Sequence, residues 1–134
     1  MQAFALAPDM LTLAGVFYPT GYVFAMFPSE SDARAAGERI ESAHISGRPL
    51  LLLDPQTIEQ HVARTAGGAD MPLPSAGTEA ATVRQYAVLA SQGHWALMVH
   101  APDADATEAV MRILRGTPFS FAEKYRRLVI EDLT

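Results

Sequence analysis

Cysteine is absent from this chain. That excludes disulfides, thiolate nucleophiles and cysteine-ligated zinc. It also fits a reducing compartment, so the expected location is the cytoplasm. Long apolar runs are missing too. None reaches the roughly 18 residues that suggest a membrane span, and no membrane association is expected. The four histidines, His44, His61, His94 and His100, form no HxH or HxxxH pair. His94 and His100 share strand parity, but six residues of strand hold them roughly 20 Å apart. No metal site is therefore expected. A glycine-rich phosphate loop with its lysine is also lacking, and nothing implies a cofactor. Positive charge is scarce: 10 Lys+Arg against 15 Asp+Glu leave a net charge of −5. Phosphate backbones repel an acidic chain, so nucleic-acid binding is disfavoured.

What is present is a core. The 134 residues are 49% hydrophobic, which suits one domain. Two strand–helix–strand units frame it. In the first, Tyr22 to Phe27 reads as a strand, with Tyr22, Phe24 and Met26 on one face and Val23, Ala25 and Phe27 on the other. Ser29 with Asp32 makes a variant capping box for a helix whose apolar stripe is Ala33, Ala36, Ile40 and Ala43. Leu50 to Leu53 is continuous and apolar, as a strand buried on both faces would be. In the second unit, His94 to His100 is the strand, and Asp103 or Asp105 caps a helix built on Ala106, Val110, Ile113 and Leu114. Phe119 to Arg127 reads as a turn and a short helix, with a closing strand near Leu128 to Asp132.

Between the units, residues 54–93 form a helical insertion. Asp54-Pro55 starts a short helix over about Gln56 to Arg64, and Thr78 caps a second helix that Gly93 terminates. Thr65 to Gly77 is rich in Gly, Ala and Pro and reads as a long loop. Residues 1–20 are an N-terminal arm or an extra strand near Leu11 to Tyr18. The start lacks the basic region of a signal peptide, and Met10 offers an alternative start with a loose arm before it. The resulting expectation is an α+β fold. It is a ferredoxin-like sheet of two β-α-β units, with helices on one face and the helical insertion between the halves.

Residues Val23 to Ala33 resemble the opening of a bacterial heat-induced, general-stress family of small domains. Members begin with a strand and an acidic, alanine-bearing helix start. Tyr86 through Ala101, with Gln92-Gly93-His94 before the strand and Val99-His100-Ala101 closing it, resembles the family's second half. The resemblance covers roughly 21–53 and 78–132. It implies a ferredoxin-like fold and a stress role, and it brings no catalytic residues. The insertion and the Tyr125-Arg126-Arg127 ending depart from it.

Four groups of candidate site residues follow. The aromatic residues Tyr22, Phe24 and Trp95 mark an interface, since an open apolar sheet face is covered by a partner subunit or by the N-terminal arm. A homodimer is the expected assembly. His100 and Asp103 meet where a strand runs into a helix start, and could act as an acid–base couple in a small α+β-barrel enzyme. Ser75, Gly77 and Thr78 precede a helix N-terminus that attracts anions, although Glu79 competes there. Arg126 and Arg127 could take an acidic ligand or, as a weaker alternative, nucleic acid. The leading expectation is a non-enzymatic module that self-associates and binds a small molecule or a protein.

Overall fold

Six consecutive apolar residues, Tyr22–Phe27, form the strand at the middle of the sheet, and all six are buried. A strand covered on both faces needs no polar alternation, which is why this run has none. The structure is a computed structural model. It describes residues 1–5, 19–63, 76–125 and 130–133.

In chain order the elements are β1 (Gln2–Ala3), β2 (Tyr22–Phe27), α1 (Glu30–Ser42) and β3 (Leu51–Leu53). The insertion follows. A single turn, α2 (Pro55–Thr57), widens into a π-helical stretch, Ile58–Ala63, and α3 (Ala76–Ser91) returns to the sheet. The chain then forms β4 (Trp95–His100), α4 (Ala104–Leu114), β5 (Phe121–Tyr125) and β6 (Ile130–Asp132). The strand order is β1-β3-β4-β2-β5-β6. β1 runs parallel to β3, and every other neighbouring pair is antiparallel. The fold is α+β.

Caps fix where the helices begin. Ser29 caps α1 by accepting from the Asp32 N–H, Asp54 caps α2 from Thr57, and Asp103 caps α4 from Ala106. α3 ends in a Schellman motif. The N–H of Gly93 bonds to the Ala90 carbonyl and that of His94 to Leu89. Gly93 supplies the left-handed conformation, at φ 85°. α3 begins at Ala76, so Thr78 lies inside the helix and does not cap it.

Helices cover both sheet faces, whereas helices on one face were expected. On one side, Val23, Ala25, Phe27, Leu97, Val99 and Ala122 meet α1 and α4. Alanine at 33 and 36 and glycine at 37 bring α1 close to the strands. Gly37 is where the Met1 side chain packs, since a Cβ there would sit 2.7 Å from the Met1 sulfur. On the other side, Tyr22, Phe24, Met26, Leu53, Ala96 and Met98 meet Ile58, Tyr86, Leu89 and Ala90 of the insertion. The insertion is thus a second layer of core.

Two further elements differ from expectation. β5 occupies Phe121–Tyr125, where a turn and short helix were expected, and it completes the second strand–helix–strand unit. Its Glu123 and Lys124 are both buried, and two charges in five residues disguised a strand that lies between β2 and β6. The N-terminal strand lies at Gln2–Ala3, while the apolar stretch at 11–18 lies outside the described residues.

Candidate functional site

Three polar places stand out on this frame. The first is the end of the sheet where β4 stops. His100 is half-buried there, edge-on to Tyr22 with ring centroids 5.2 Å apart. Gly21 packs beside the imidazole, where a Cβ would be in ordinary contact at 3.7 Å from His100 Nε2, and its φ of 85° is the conformation that favours glycine. The loop between α1 and β3 runs alongside. The Ser46 hydroxyl reaches the Arg48 carbonyl at 2.9 Å and the His100 carbonyl at 3.3 Å. From β5, buried Lys124 donates to the Ala101 carbonyl and, at 2.7 Å, to the Thr107 hydroxyl. Partial burial, then the charges of Arg48 and Lys124, hold the His100 imidazole below the ordinary histidine value. Three basic groups from three elements therefore share one end of the sheet.

The second place is the opposite end of β4. His94 Nδ1 lies 2.8 Å from the Ser120 hydroxyl, which is also 3.1 Å from the Met26 carbonyl. A hydroxyl that donates to the carbonyl accepts from Nδ1–H. The serine proton is then committed to the backbone, and the pair ties the turn before β5 to β2. Proximity of serine and histidine here serves packing, with no third group aligning the ring among the described residues.

The third is a groove of about 280 Å³ lined by Met1 to Phe4, Arg34, Leu52, Asp54, Thr57 and Trp95. Trp95 faces Phe27 across the β2–β4 ladder, and so lies on the α1 side. Its half-buried ring lines the groove beside β1.

The candidate residues named from sequence separate accordingly. Tyr22 and Phe24 lie under the chain's own insertion, with Phe24 tilted against Tyr86 at 4.5 Å between centroids. Trp95 points to the other face, so these three do not form one patch. Asp103 gives its carboxylate to the cap of α4, 2.7 Å from the Ala106 N–H. Ser75, Arg126 and Arg127 lie outside the described residues. Gly77 and Thr78 lie in the first turn of α3. Sequence reading missed the loop between α1 and β3, where His44 adopts a left-handed conformation at φ 53°. Nothing in the residue pattern announces that; only the backbone does.

Compared with protein-family models, curated proteins and solved structures, the chain matches none. No helix among the described residues is long and apolar enough to cross a membrane.

Proposed function

We propose that this chain is a small ferredoxin-like binding module that self-associates as a homodimer through the outer edge of β1. The order β5-β2-β4-β3 within the sheet, with its antiparallel pairs, supports the ferredoxin-like reading. A part in bacterial stress physiology rests on the resemblance of Val23 to Ala33 and Tyr86 to Ala101.

The observation that carries the edge is the alternation of β1. Gln2 and Phe4 donate their N–H groups to the Leu50 and Leu52 carbonyls of β3. Ala3, between them, turns its N–H and carbonyl away from the sheet. Edge strands are usually blunted by charge or proline. Met1 to Ala5 contain neither, and Trp95 and Phe4 provide apolar area beside the edge. At the opposite end of the described sheet order lies β6, Ile130–Asp132. Two copies of β1 pairing antiparallel about a two-fold axis would join the sheets.

Sedimentation velocity over a range of concentrations tests this. The wild type should form a dimer that grows with concentration, because so short an edge falls below the roughly 1,200 Å² of a firm interface. Ala3→Pro removes the outward donor while leaving both donors to β3, and should give a folded monomer. A wild-type protein that stays monomeric throughout, or an Ala3→Pro variant that dimerises as well as wild type, would sink the proposal.

A further inference from the structure

Lysine occurs once in these 134 residues, at position 124. Arginine supplies the other strongly basic side chains. Among the described residues Arg34, Arg39, Arg48, Arg84, Arg112 and Arg115 are all exposed, whereas Lys124 is 4% exposed. Surface charge keeps a protein in solution, and either residue provides it. Their chemistry differs. The lysine amine is the group that acyl donors modify, and the guanidinium stays charged. The described surface therefore carries positive charge without a lysine amine.

The place of that amine in the fold decides its reactivity. Lys124 lies in β5, between β2 and β6, with Val23 opposite it on β2. Val23 belongs to the core layer under α1 and α4, and the lysine enters the same layer. Its Nζ donates to the Ala101 carbonyl just past β4 and to the Thr107 hydroxyl on α4. Thr107 is itself buried. Attack on an acyl carbon needs an amine that can turn toward the donor, and room for the tetrahedral centre that forms. The folded site withholds both. Its hydrogen bonds hold Nζ inward, and a close-packed interior has no space for the donor.

We propose that Lys124 is a fold-gated acylation site. An activated acyl donor, a thioester or an acyl phosphate, reaches it only when β5 opens. The neutral amine nitrogen then bonds to the acyl carbon. The leaving group departs with the electron pair of the bond that breaks, and an amine proton passes to water. The product does not fit back. An amide nitrogen keeps one N–H where the ammonium had three, so it cannot serve both Ala101 and Thr107, and the added carbons enter a packed layer. Acylation thus marks the copies that have opened and holds them open. The site is remote from the β1 edge in the sheet order, and it stands or falls independently of self-association.

The test is acetylation of the whole chain with N-hydroxysuccinimide acetate. Free Nα-acetyl-lysine amide in the same tube gives the rate of an exposed amine, and peptide mass mapping reads the occupancy of Lys124. In the folded protein Lys124 should react at least about a thousandfold more slowly than the free lysine, because the opened fraction of a stable domain is that small. In concentrated urea the two should react alike. Thr107→Val removes one acceptor, and should speed the folded-state reaction by the factor by which it raises the unfolding equilibrium constant. Chain acetylated in urea should fail to regain the wild-type unfolding midpoint on dilution. Chain treated while folded, then quenched, unfolded and diluted, should regain it. Reaction of folded Lys124 within about tenfold of the free lysine, an unchanged rate in a destabilised Thr107→Val, or refolding of the urea-acetylated chain to the wild-type midpoint would each overturn the proposal.

Discussion

The hydroxyl of Tyr86 on α3 lies 2.8 Å from the hydroxyl of Tyr125 at the end of β5, and both rings are buried. This bond joins the insertion to the sheet inside an otherwise apolar layer. Burial comes first among the causes that raise the Tyr86 phenol well above its ordinary value, followed by Tyr125 and Glu123 nearby. Tyr86→Phe and Tyr125→Phe should each cost about 1–2 kcal/mol. The double variant should cost less than the two costs added, because the second change removes a bond already lost. Urea unfolding of the four proteins measures the coupling; full additivity would mean that the hydroxyls do not act as a pair.

The same pair sets an alkaline limit. A phenol whose folded value is raised stabilises the fold fully below the unfolded tyrosine value, about 10. That contribution is lost as pH rises beyond it, since the unfolded chain releases the proton more readily. Ultraviolet titration of phenolate should show a tyrosine that ionises only as the protein unfolds. Tyr86→Phe should lose that late step.

At the other end of the pH scale the imidazole of His100 has the opposite sign. Its folded value is lowered, so its neutral form stabilises the fold above the unfolded histidine value, about 6.5. Stability falls as pH drops below that value toward the folded one, because the unfolded chain takes up the proton first. Denaturation midpoints measured across this range should decline toward acid, and His100→Gln should flatten the decline. An equal slope in the variant would assign the effect elsewhere.

Thr107 is one of the acceptors around the buried Lys124, beside the Ala101 carbonyl. Its hydroxyl takes a hydrogen bond from Lys124 and stands 2.9 Å from the Asp103 carbonyl. Thr107→Val keeps the shape but removes these contacts and the one at 3.2 Å to the Ala101 carbonyl, and should cost about 1–3 kcal/mol. Thr107→Ser restores the hydroxyl and should recover most of that loss. Thermal unfolding of the two variants gives the comparison.

His44 offers a gain where other changes bring losses. A non-glycine residue in the left-handed region is strained by roughly 1 kcal/mol. His44→Gly should therefore raise the unfolding midpoint or leave it unchanged, despite the greater freedom of glycine in the unfolded chain. A marked drop in stability would show that the imidazole makes contacts worth more than the strain.

The reach of the sequence is clearest in β2, α1 and β4. The two strands are unbroken apolar runs, α1 keeps a helical period, and the caps Ser29, Asp54 and Asp103 sit where the side-chain chemistry places them. β5 was illegible for a physical reason. Glu123 and Lys124 are charged yet buried, and Lys124 is held by Ala101 and Thr107, outside its own strand. The covered second face was illegible for a related reason. The α3 stripe Val83, Tyr86, Ala87 and Ala90 was visible, but periodicity does not say which surface a helix seeks. Tyr22 and Phe24 were correctly apolar, and only the fold shows that α3 is what covers them. The left-handed His44 was not legible because, although histidine is among the non-glycine residues enriched there, few histidines adopt that conformation and no glycine or asparagine marks the turn.

β2 has a consequence for biosynthesis. Both of its neighbours, β4 and β5, arrive late in the chain, and the Ser120 hydroxyl bonds to the Met26 carbonyl across 94 positions. A strand with no polar face is therefore made early and paired last. While the chain leaves the ribosome, Tyr22–Phe27 must wait for most of the protein to be translated before either edge is hydrogen-bonded. In that interval it is an apolar template for other nascent chains, and demand for chaperones should peak there.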